Sequence, residues 1–105
     1  MAISTHVLDA TTGRPAAGLG VALSRRGDDG SWRFLDHRET GPDGRVTGLA
    51  VDEPGDYRIV FDTGRYQPDG FYPEVAVVFR VPDPAGHYHV PLLLSPFSYT
   101  TYRGS

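Results

Sequence analysis

Residues 74–81 read Glu74-Val75-Ala76-Val77-Val78-Phe79-Arg80-Val81. Side chains two apart on a strand point the same way. Val75, Val77, Phe79 and Val81 therefore share one face, and Glu74, Ala76, Val78 and Arg80 the other. The same alternation sets Tyr57, Ile59 and Phe61 against Arg58, Val60 and Asp62. Between such runs stand turn signals: Gly27-Asp28-Asp29-Gly30, Pro42-Asp43-Gly44 and Glu53-Pro54-Gly55. With 13 glycines and 9 prolines, breaks recur about every eight to twelve residues. No stretch keeps a helical period over three turns. The pattern predicts eight strands near 4–9, 19–26, 32–40, 45–49, 56–62, 74–82, 87–94 and 97–103. One short helical turn fits between Asp62 and Gly70. Eight antiparallel strands in a chain this short pack as two sheets, an all-β sandwich.

The 105 residues suit a single domain spanning 1–105. A chain of this size buries roughly 65% of its unfolded surface, enough for one core. A net charge of −3 and the absence of a basic stripe argue against a nucleic-acid surface. The chain has no cysteine, hence neither a disulfide frame nor a thiol nucleophile. The N-terminus lacks a basic segment followed by an apolar run, and no stretch approaches the ~18 apolar residues of a membrane span. A soluble cytoplasmic protein is expected.

Groups able to do chemistry gather on a few strands. If Val7 faces the core, His6 and Leu8 face outward. In 87–94, Tyr88, Val90 and Leu92 form the core face, leaving His87, His89 and Pro91 outside. Near the end, Thr100 and Tyr102 alternate with Thr101 and Arg103. Histidine ionises near pH 6.5 and is a usable base near neutrality; beside an arginine, two of them can activate water and hold an oxyanion. Surface histidines are usually just solvated, and His37 is read so. Two histidines at 87 and 89 stand about 6.6–6.8 Å apart along a strand. Zinc needs a third ligand, for which only distant His6 or an unspecified acid remains. Arg45 follows the turn at 40–44 and matters if that turn aims it at a pocket, since guanidinium grips flat carbonyl groups by paired hydrogen bonds. No G-x-S-x-G elbow or phosphate-cradling loop marks Ser95 or Ser105 as a nucleophile.

Several segments taken together resemble the 5-hydroxyisourate hydrolase family, transthyretin-related enzymes of urate breakdown. These are His6-Val7-Leu8-Asp9, Gly13-Arg14-Pro15-Ala16, Asp43-Gly44-Arg45, Phe71-Tyr72-Pro73-Glu74-Val75, and the tail from His87 to Ser105. The terminal Tyr102-Arg103-Gly104-Ser105 distinguishes the hydrolases from hormone-carrying transthyretins. Phe97, Ser98 and Thr100 depart from the tyrosine, glycine and serine that related sequences often carry there. The resemblance implies a transthyretin-like sandwich of two four-stranded antiparallel sheets with one short helix. It implies a homotetramer, a dimer of dimers, with sites where sheets of two subunits face each other. His6, Arg45 and His89 match the family's catalytic positions. Tyr102, Arg103, Gly104 and Ser105 match the substrate-binding tail, here expected to roof the cleft of an adjoining protomer. The implied reaction opens 5-hydroxyisourate to 2-oxo-4-hydroxy-4-carboxy-5-ureidoimidazoline, with no metal and no organic cofactor. The alternative on the same fold is a transthyretin-like carrier of small aromatic ligands in a central channel. An adhesion or spacer module is a third reading, and it would need none of the histidines.

Overall fold

The computed structural model describes residues 2–105. Its strands are β1 (Ala2–Asp9), β2 (Arg14–Pro15), β3 (Gly20–Arg26), β4 (Trp32–Glu39), β5 (Arg45–Ala50), β6 (Gly55–Phe61), β7 (Val75–Val81), β8 (His87–Leu94) and β9 (Tyr99–Thr101), with helix α1 (Thr63–Tyr66) between β6 and β7. One sheet has the order β4-β3-β6-β7 and is antiparallel throughout. The other runs β2-β1-β8-β9, with β5 also paired to β1. Among the described residues no helix is long and apolar enough to cross a membrane.

The second sheet departs from the expected pattern in two ways. β1 and β8 are parallel, so this sheet is mixed rather than antiparallel. The reason lies in the connection: the whole of the first sheet intervenes between β1 and β8, and only directly joined neighbours are bound to an antiparallel hairpin. The sheet also holds five strands, because the two-residue β2 was not anticipated. β2 pairs with Leu8 and Asp9, whereas β5 pairs with residues 2–6 of the same β1 edge. The two share one lane end to end, so the sheet keeps four lanes.

The alternating sets fold as their periods require. Tyr57, Ile59 and Phe61 are fully buried between the sheets, opposite Ile3, Val7, Leu92 and Leu94. Burying a side chain of this kind contributes roughly 1.5–3 kcal/mol. Thr5 lies in the same core and its hydroxyl donates to the Val90 carbonyl, which satisfies an otherwise costly buried group. On β7, Val75 and Val81 are buried, but Val77 and Phe79 are only partly so. β7 and β9 are edge strands on the same side of the sandwich. Val77, Phe79, Tyr88, Val90 and Tyr102 line an apolar cleft of about 300 Å³ there.

Helix α1 is a single turn held at both ends. The Asp62 side chain accepts from the Arg65 N–H, and Tyr66 Oη donates to Asp9 Oδ2 at 3.0 Å. The predicted strand 97–103 is shorter than expected. β9 ends at Thr101, yet Gly104 returns to His89 in the same register. The gap has a local cause. The Gly104 N–H donates to the His89 carbonyl, so the next hydrogen-bonded pair, two residues along, is Pro91 with Tyr102. Proline has no N–H to exchange, and the Thr101 hydroxyl donates to the Pro91 carbonyl instead.

Candidate active site

The outer face of the mixed sheet carries two rows of side chains. In the first, Arg45 of β5 pairs with His6 of β1, and His6 pairs on its other side with Pro91 of β8. In the second, Ser4 of β1 pairs with His89 of β8, and His89 with Gly104 of the tail. A register set by the buried face therefore brings four distant segments together, because a one-residue slip would turn the core inside out.

Arg45 is aimed by its turn. The Arg45 N–H donates to Asp43 Oδ1 at 3.0 Å, and the Gly41 N–H donates to the Arg45 carbonyl at 3.0 Å. Gly44 has φ near +75°, and its carbonyl accepts from the Val7 N–H at 2.8 Å. A Cβ at 44 would lie 2.5 Å from the Val7 carbonyl oxygen. Only glycine lets the turn press this closely on β1 and deliver Arg45 beside His6.

Arg45 and Thr47 of β5, Ser4 of β1, His87 and His89 of β8, and Ser105 line one cavity of about 420 Å³. His89 Nδ1 lies 2.8 Å from Ser4 Oγ. Burial pushes the His89 imidazole below the ordinary histidine value. The positive Arg45 and the neighbouring His6 push it the same way, while the Ser4 main chain opposes them. The shift favours the neutral ring, which holds a lone pair for a proton. His6 Nε2 is buried without a hydrogen-bond partner among the described residues.

The predicted residues divide in two. Arg45, His89 and Ser105 meet at the cavity, with His6 joined to Arg45 through the strand pairing and Gly104 bonded to His89. Tyr102 and Arg103 line the edge cleft, and His89 lines that cleft too; the Arg103 guanidinium stacks 5.1 Å from the Tyr88 ring centre. The chain's own tail reaches His89, because β9 and Gly104 continue one register along β8. Ser4 and Thr47 escaped the sequence reading. Ser4 was legible in principle, since it stands two before His6 and shares its outward face.

The chain matches the model of the HIUase/Transthyretin family over residues 3–104. It belongs to that family. A 5-hydroxyisourate hydrolase of Mus musculus is 47% identical over 111 residues, covering 98% of this chain and 94% of the relative. The solved 5-hydroxyisourate hydrolase of Klebsiella pneumoniae has a TM-score of 0.86 at 32% identity, with all of both chains covered. Sea bream transthyretin, solved in complex with thyroxine, has a TM-score of 0.91 at 34% identity and covers 97% of this chain and 93% of its own. Both a hydrolase and a hormone-bound protein of the HIUase/Transthyretin family thus share this backbone, and only the chemistry of the site can choose between them.

Proposed function

We propose that the chain hydrolyses 5-hydroxyisourate to 2-oxo-4-hydroxy-4-carboxy-5-ureidoimidazoline, a step of urate breakdown. One observation carries the reading: an imidazole and a guanidinium face one cavity in a chain close in sequence to proteins named for that reaction. Water attacks the C6 carbonyl and His89 takes its proton. Arg45 binds the planar ring and stabilises the oxyanion of the tetrahedral intermediate. The N1–C6 bond then breaks, and His6 serves the leaving nitrogen as proton donor or orients the base. Ser105 and Gly104 close the cavity over the substrate. Acid–base help of this kind is worth about 10²–10⁴-fold, and one well-placed oxyanion donor about 10²–10³-fold.

The assembly belongs to the same proposal. A dimer of dimers covers the apolar β7–β9 cleft and the exposed Phe97, Tyr99 and Tyr102, and sets the outer faces of two mixed sheets against each other. A cytoplasmic setting is part of it too, and a cysteine-free chain suits a reducing compartment. The cavity walls speak against a carrier: a channel for apolar aromatic ligands calls for small apolar groups, whereas Arg45, His87 and His89 are polar and titratable. The test is to generate 5-hydroxyisourate in situ from urate and follow its ultraviolet decay. Acceleration over buffer is expected; decay at the buffer rate, with tight binding of aromatic ligands, would select the carrier.

A further inference from the structure

We propose that Ser4 is a positioning residue that holds His89 in the tautomer with its proton on Nδ1, so that the Nε2 lone pair faces the reacting water. The inference rests on the hydrolase reading for its catalytic consequence, but not for its geometry. Ser4 and His89 are register partners on adjacent parallel strands, with side chains on the same outer face. Ser4 Oγ lies 2.8 Å from Nδ1, within hydrogen-bond range. Among the described residues this is the one side-chain hydrogen bond of the Ser4 hydroxyl.

A serine oxygen can accept or donate, and the surroundings decide which. The 2.8 Å contact fits either role, and only the acceptor role leaves His89 a free lone pair. With Nδ1–H donating to Oγ, Nε2 keeps its lone pair. The opposite arrangement would put the only ring proton on Nε2 and leave no base. Two contacts from Gly104 bear on His89. The Gly104 N–H pins the His89 carbonyl at 2.8 Å. The Gly104 backbone packs so closely on the ring that a Cβ there would lie 2.5 Å from Cδ2. His89 therefore has its orientation set by backbone and its tautomer set by Ser4, which is how partners of catalytic imidazoles act.

The test compares Ser4→Ala and Ser4→Thr with the full parent chain. Nitrogen-15 shifts of the His89 ring report the tautomer without any substrate. The parent is expected to show protonated Nδ1 and unprotonated Nε2. Ser4→Ala shifts the ring toward the Nε2–H form and lowers kcat about tenfold, the worth of one hydrogen bond, while KM stays within twofold and Tm is unchanged. Ser4→Thr, which keeps the hydroxyl, restores both tautomer and kcat. A parent ring already protonated at Nε2, or a tautomer unmoved in Ser4→Ala, overturns the proposal. If the tautomer shifts as expected but no form of the chain accelerates 5-hydroxyisourate decay, the positioning stands and the hydrolase reading falls.

Discussion

The main-chain N–H of Gly104 donates to the carbonyl oxygen of His89 at 2.8 Å, and the two residues are so close that a methyl group at 104 would meet the imidazole at 2.5 Å. The tail is therefore a wall of the site rather than a loose end, and it is shaped to one histidine. Gly104→Ala forces either the tail or the ring to move. Activity on 5-hydroxyisourate is expected to fall at least tenfold, while stability changes by less than about 1 kcal/mol, because the tail lies outside the core. Parallel decay assays and thermal unfolding check this; an unimpaired rate would detach the tail from the chemistry.

Arg45 is exposed and makes no ion pair among the described residues, so Arg45→Ala is expected to leave stability within about 0.5 kcal/mol. Turnover is expected to drop about 10²–10³-fold, the cost of losing one oxyanion donor. Leu92→Ala offers the contrast. It empties a fully buried position on the same strand as His89 and should cost about 2–5 kcal/mol. Denaturant titration separates the two cases.

Gly44→Ala should damage both fold and site. Its φ of +75° lies in the left-handed region, and the added Cβ would stand 2.5 Å from the Val7 carbonyl oxygen. A destabilisation of about 1–3 kcal/mol is expected, with a loss of turnover in the molecules that remain folded, because Arg45 swings away from His6. A variant of parent stability and full rate would show that the turn tolerates the side chain.

Acid should act through His89. Its folded value is depressed, first by burial and then by Arg45 and His6, with the Ser4 main chain opposing. Near and below about pH 6.5 the unfolded chain thus binds more protons at this ring than the folded one. The stability tied to the neutral ring is present above the unfolded value and is lost as pH falls through the folded one. By the same shift, a base at His89 survives further into acid than an ordinary histidine. Proton NMR should give a His89 midpoint below 6.5, with the acid limb of the rate profile following it. A midpoint at or above 6.5 would remove the depressed ring from the account.

Much of this was legible in the residues, because strand periodicity is a local signal. The alternation in 57–61, 75–81 and 87–94 tells which side chains enter the core, and the outward set follows by subtraction. Hence His6 and His89 fall on the outer face of their sheet, and glycine and proline clusters mark nearly every turn. Strand β2 was missed because two residues, Arg14 and Pro15, carry no period. The parallel pairing of β1 with β8 was missed because alternation reports faces, not neighbours.

Strand alternation alone is enough for an all-β chain with imidazole groups on outward faces, since a period of two sets which side chains share a face. Which of those groups meet is a matter of the folded chain. Pairing across strands far apart in the chain sets Ser4 beside His89, His6 beside Arg45 and Gly104 against the ring, and places Tyr102 and Arg103 in the edge cleft that shares His89 with the cavity. Those choices are made by register between distant segments, which depends on how the whole core closes and is written in no single stretch of residues.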